Sequence, residues 1–128
     1  MNYALPTEVE IEGNVYPIRS DYRAILDIFE AFSDPNLNND QKALAALDIF
    51  YPDFLTFSGE QLREAAEKML WFINCGDEGD NRKRPKLMDW EQDFQYIAAP
   101  INRVVGQEIR AMPYLHWWTF ISAYYEIG

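Results

Sequence analysis

At 128 residues the chain is long enough for one domain with its own core and short for two. Twenty-one acidic side chains against eleven basic ones give a formal charge of −10, which sets the protein electrostatically against nucleic acid and anionic membrane surfaces. No apolar stretch approaches the roughly 20 residues of a bilayer span, the start Met1-Asn2-Tyr3-Ala4-Leu5-Pro6 lacks the basic and apolar regions of a signal peptide, and the single Cys75 suits a reducing cytoplasm, so a soluble intracellular protein is expected.

Val9-Glu10-Ile11 and Val15-Tyr16-Pro17-Ile18 are short β-type runs split by Glu12-Gly13-Asn14, which predicts a hairpin over about residues 8–18 with Pro17 on an edge strand. Such a hairpin is marginal alone and must lie against helices or add to a partner. Ser20 or Asp21 can cap a first helix with Tyr22, Ile25, Phe29 and Phe32 at helical spacing, widened by Leu26 and Ile28 and ended at Ser33-Asp34-Pro35-Asn36. Asn39 or Asp40 starts a second helix whose apolar side is Ala43, Leu44, Leu47 and Phe50, stopped by Pro52. Ser58 and Gln61 form a capping-box pattern for a third, with Leu62, Ala65, Ala66, Met69, Leu70 and Ile73 as its buried stripe and Gly76 at a left-handed C′ position.

A long polar loop runs from Gly76 to Lys86, acidic first and then basic. Asp89-Trp90-Glu91-Gln92 offers a second capping box, and Trp90, Phe94, Ile97 and Ile101 form the stripe of a fourth helix that Pro100 kinks or ends early. Gly106 is a plausible stop before a short link from Glu108 to Met112. Pro113 is suited to open a terminal helix to about Tyr125 that is apolar on nearly every side, a pattern stable only when neighbours or a partner cover it. The expected fold is therefore mainly α: a compact bundle of about five helices over residues 20–126 with a small N-terminal hairpin, in one domain.

Little here carries chemistry. Asp89 and Asp93 share a helix face from which Glu91 diverges, so the trio does not converge on one ion, and His116 without a second histidine, a thiol or a serine lacks a mechanism, so a structural hydrogen bond is its expected role. Cys75 stands at a helix C-terminus, where the dipole disfavours a thiolate. No phosphate loop, dinucleotide fingerprint, zinc spacing or G-x-S-x-G elbow is present, and Gly76-Asp77-Glu78-Gly79-Asp80-Asn81 lacks the closing glutamate of a calcium loop. No enzymatic activity, cofactor or metal is expected. Trp117 and Trp118 differ by about 100° around a helix, so one indole packs inward and the other is available to a partner.

Leu5-Pro6 before the Ile11-Glu12-Gly13 to Tyr16-Pro17-Ile18 hairpin, Asp21-Tyr22-Arg23, Asp89-Trp90-Glu91-Gln92-Asp93 with Tyr96-Ile97, and Tyr114-Leu115-His116-Trp117-Trp118 together follow one collinear pattern. That pattern resembles the bacteriophage "gene product fifteen" family of siphophage tail proteins, usually encoded between tail tube and tape measure. The resemblance implies a chaperone-like tail assembly protein in the host bacterial cytoplasm that binds the tape-measure protein, the tail-tube protein or both, with a homo-oligomer as a further expectation. A structural tail component is the alternative it leaves. On this reading Tyr114, Trp117, Trp118, Phe120 and Trp90 are the expected partner-binding residues. Family members tend to continue past the His-Trp-Trp helix with a basic helical region, whereas this sequence stops at Gly128, so either a trimmed form or a short member is expected.

Overall fold

Positive φ at two adjacent turn residues lets the N-terminal runs fold back on each other. Glu12 (φ 49°) and Gly13 (φ 82°) form the two-residue turn between β1 (Glu8–Ile11) and β2 (Asn14–Pro17), which pair antiparallel with Ile11 opposite Asn14 and Glu8 opposite Pro17. The computed structural model describes residues 4–76 and 90–126, and within 90–96 it describes the side chain of Phe94 only. Val9 and Ile11 turn inward, as does Ile18 just after β2, while Val15 faces out. The hairpin rests on the start of the third helix: Glu12 N–H donates to Glu64 Oε1 (3.0 Å) and Gln61 Nε2 donates to the Tyr16 hydroxyl (2.9 Å).

Among the described residues are five helices, α1 (Tyr22–Phe32), α2 (Asn39–Phe50), α3 (Gly59–Ile73), α4 (Trp90–Val105) and α5 (Trp117–Glu126), with 3-10 turns at Phe54–Thr56 and Ile109–Ala111. The chain is mainly α with one hairpin, as its periodicity predicts. Helix α1 is central, packing on α2, α4 and α5, while α3 lies against α2 and β1. Tyr22, Ile25, Ile28 and Phe29 bury its inner face. The Tyr22 ring lies parallel to Phe120 at 4.6 Å and to Phe94 at 6.3 Å, so three elements share one aromatic stack.

The helix starts follow local chemistry. Asn38 Oδ1 accepts from Gln41 N–H and Gln41 Oε1 from Asn38 N–H, a reciprocal box that begins α2, and Gln61 Oε1 accepts from Ser58 N–H (2.8 Å) at α3. The inner faces of α2 and α3 are rotated from the expected stripes. Ala46, Leu47 and Phe50 are buried in α2 while Ala43 and Leu44 are exposed, because Ala43 and Ala46 are equivalent to a periodicity argument and only the close approach to a neighbouring helix selects between them. In α3 the buried side chains are Ala65, Met69 and Phe72, and Leu70 is 49% exposed. Pro100 lies inside α4 and does not end it; the helix runs on to Val105, and Gly106 (φ 83°) closes it by donating to the Asn102 carbonyl (2.7 Å).

The link after α4 is pinned rather than loose. Asn102 Oδ1 accepts from Ile109 N–H (2.8 Å), and Ile109 is fully buried. The Arg110 guanidinium, hydrogen-bonded to Glu108, holds that carboxyl below its ordinary value. The polar loop expected after Gly76 and the side chains of the capping box expected at Asp89-Trp90-Glu91-Gln92 lie outside what is described. One contiguous core joins hairpin and helices. Ile25→Ala, at a fully buried site in its middle, should cost about 3 kcal/mol in urea denaturation. Leu55→Ala, at a side chain 91% exposed, should stay within about 0.5 kcal/mol.

Candidate protein-interaction site at the tandem tryptophans

The terminal helix begins four residues later than Pro113, at Trp117, because residues before it are drawn into extended pairing with the start of α1. Asp21 and His116 form an antiparallel bridge. Tyr22 N–H donates to the Leu115 carbonyl (2.9 Å), and Trp117 N–H donates to the Ser20 carbonyl (2.8 Å). These donors are the first amides of α1 and α5, which have no partner inside their own helices. Both bridge residues also cap by side chain. Asp21 Oδ2 accepts from Arg23 N–H (3.0 Å), and His116 Nδ1 accepts from Trp118 N–H (3.0 Å).

The bridge gathers further polar groups. Asp21 Oδ1 accepts from Leu115 N–H (2.8 Å) and pairs with Arg23, whose guanidinium also donates to the Ile109 and Met112 carbonyls. The Ser20 and Tyr114 hydroxyls bond to each other. His116 is 4% exposed; with Nδ1 accepting from an amide, its proton sits on Nε2 and is donated to the Pro6 carbonyl (2.7 Å). The structural hydrogen bond expected of this histidine is thus present twice over. Burial pushes its imidazole below the ordinary histidine value.

Trp117 and Trp118 cap the opposite pole of α3. Trp117 Nε1–H donates to the Ile73 carbonyl (3.0 Å) and Trp118 Nε1–H to the Phe72 carbonyl (2.7 Å), so the two indoles satisfy carbonyls at the helix end. The same end is closed by a paired turn: Cys75 N–H donates to Phe72 (3.0 Å) and Gly76 N–H to Trp71 (2.8 Å). The left-handed C′ position belongs to Cys75 (φ 58°) and Gly76 (φ 79°) follows it, one residue off the expected placement. The positive φ is the reason for glycine at 76, since a Cβ there would only come into ordinary van der Waals contact with Trp118 Cη2 (3.4 Å) and Trp71 Nε1 (3.6 Å).

The five expected partner-binding residues separate cleanly. Trp117 and Phe120 are buried: Trp117 lies edge-on to Phe29 and stacked on Phe120, and both spend their surface in the core. Trp118 is the half-buried indole, parallel to Phe72 at 5.8 Å and edge-on to Trp71 at 5.6 Å. Tyr114 is 46% exposed with its hydroxyl held by Ser20. The Trp90 side chain lies outside the described residues. Sequence reasoning missed Trp71, half-buried beside Trp118, and placed Leu70 in the core. The available signal was that Trp71 falls off the Leu62–Ile73 stripe, where a large aromatic has no core reason to be. The surface that results is Trp71 and Trp118 with exposed Leu70 adjoining in sequence.

The profile of the bacteriophage Gp15 protein family matches residues 1–126, covering this site and nearly all of the chain. The chain belongs to that family. No curated protein and no solved structure matches it. This Gp15-family member is a phage protein, and no described helix is long and apolar enough to cross a membrane. Among the described residues no group of three His, Cys, Asp or Glu side chains is placed to hold a metal ion.

The partition of the two indoles predicts unequal losses. Trp117→Ala should cost about 4 kcal/mol and Trp118→Ala about half of that in chemical denaturation, since the first empties a core site and the second a half-open one. Gly76→Ala should lower stability by about 1–2 kcal/mol in chemical denaturation through its positive φ.

Proposed function

We propose that this Gp15-family protein is a non-enzymatic, chaperone-like assembly factor of siphophage tails that binds the tape-measure protein, the tail-tube protein or both in the host cytoplasm. Membership over residues 1–126 gives the phage setting, and the partly buried Trp71–Trp118 pair, with exposed Leu70 next to Trp71 in sequence, supplies the kind of surface that captures an apolar helix. The observation that carries the reading is this aromatic pair at the end of α3: Trp118 is already fixed by its hydrogen bond and stacking on Phe72, Trp71 packs edge-on against it, and rings held in place lose little entropy when a partner covers them. A net charge of −10 around it would keep a loaded complex soluble and disfavour unrelated acidic partners.

A structural place in the tail is the second reading, favoured by the hairpin, whose two strands have no further neighbour strand among the described residues and whose Val15 is 59% exposed. Detection of the protein in purified mature particles would move the reading there. The direct test is co-expression with tape-measure fragments, scored by soluble yield and co-purification. Wild type should keep fragments soluble, and Leu70→Asp, a substitution at an exposed position, should reduce recovery by about tenfold while leaving the circular dichroism spectrum unchanged. Wild type that neither binds nor solubilises any fragment would sink the chaperone reading.

A further inference from the structure

His116 uses its two ring nitrogens in opposite senses at one junction. Nε2–H donates to the Pro6 carbonyl, tying down the strap of residues 4–7 that leads into β1, and Nδ1 accepts from Trp118 N–H, starting α5. The ring is packed edge-on against Phe72 (5.2 Å) and Trp118 (5.8 Å) and is almost fully buried. Only the neutral imidazole can do both jobs. A proton added at Nδ1 would turn the acceptor into a second donor aimed at a donor, and would place a cation at the positive end of the α5 dipole.

The surroundings offer that cation little. At the start of α1 the bridge sets Asp21 against His116, and the Asp21 carboxylate is already engaged by Arg23 and by Leu115 N–H. From α3 the facing side chain is Phe72, and from α5 it is Trp118. The strap contributes the Pro6 carbonyl, with Glu8 beginning the exposed end of β1. The Tyr114 hydroxyl is occupied by Ser20.

We propose that His116 is a proton-sensitive latch: protonation of its Nδ1 uncaps α5, frees the Trp118 end of the α3 contact and loosens the strap, while the α1–α2–α3 body stays folded. The direction follows from linkage. Burial holds the folded imidazole below its ordinary value of 6.5, so the latch is fully closed above that pH. It weakens as pH falls from about 6.5 towards the folded midpoint, and the opening equilibrium rises across that interval, by at most about tenfold per pH unit for one proton, before levelling off.

The chain has one histidine, so its ring resonances are unambiguous. A two-dimensional proton–nitrogen titration of the full chain from pH 8 to pH 5 should show the Nε2–H tautomer at the upper end and a midpoint below the ordinary histidine value. The Trp118 amide and indole N–H signals should shift with the same midpoint. Amide exchange at Trp118, corrected for its intrinsic pH dependence, should accelerate as pH falls through the interval, by at most about tenfold per unit, with Ile25 unaffected. His116→Asn, which keeps a capping oxygen but does not titrate, should abolish the transition. An imidazole that titrates at or above its ordinary value, Trp118 signals that do not follow it, a transition that persists in His116→Asn, or protonation only on global loss of helical circular dichroism would each overturn the latch. The wild-type titration decides the question by itself if His116→Asn fails to fold.

Discussion

Two helices of this protein start from a single pair of residues. Where Asp21 meets His116, the first amide of α1 donates across to one segment and the first amide of α5 donates back to the other, so each helix start supplies the acceptor that the other lacks. Orphan amides at a helix N-terminus must be satisfied, and in a buried place water is not available to do so. The junction solves this problem for both helices at once, across 95 positions of sequence, with the two side chains capping the next amide of their own helices. Arg23 extends the arrangement to the carbonyls around Ile109, and His116 extends it to the strap at Pro6. Losing it would uncap two helices and unseat a third segment together.

The first two side chains of α5 perform the complementary task for α3. A helix C-terminus leaves carbonyls without donors, and here the turn at Cys75 and Gly76 shares them with the indole N–H groups of Trp117 and Trp118. Adjacent residues on one helix usually point to different surroundings. They can both serve α3 because successive carbonyls at its end also diverge by about 100°. The doubled tryptophan is therefore first a piece of architecture. What remains after that role is filled is the outer part of Trp118, held by its bond to Phe72, with Trp71 edge-on beside it.

The candidate site was legible in part. The Tyr114-to-Phe120 run contains Trp118, and the divergence of neighbouring residues separates an inward indole from an outer one, as the burial of Trp117 and partial burial of Trp118 show. Which is which depends on where α3 ends in space, and no property of the two residues distinguishes them. Trp117 and Phe120 were expected at a partner surface and lie in the core, because Phe29 and Tyr22 of α1 meet them there. Trp71 escaped notice because a stripe built on spacing assigns off-stripe residues to solvent, and it takes the approach of Trp118 to give such a residue a neighbour.

What the sequence determined by itself is the set of decisions made within a few residues. The positive-φ turn at Glu12-Gly13, the boxes at Asn38 and Ser58, the stop at Gly106, the mainly helical class and the acidic charge all follow from interactions between near neighbours or from composition. Tertiary structure decided the rest. Pro113 is a good first helical residue, yet α5 starts at Trp117 because a backbone bridge to Ser20 and Tyr22 outcompetes one more helical turn. Leu44 and Leu70 fit helical stripes and stand exposed, because the rotation of a helix about its axis is set by the shape of what it packs against. Spacing fixes which residues share a face; only the neighbouring surface fixes which face is buried.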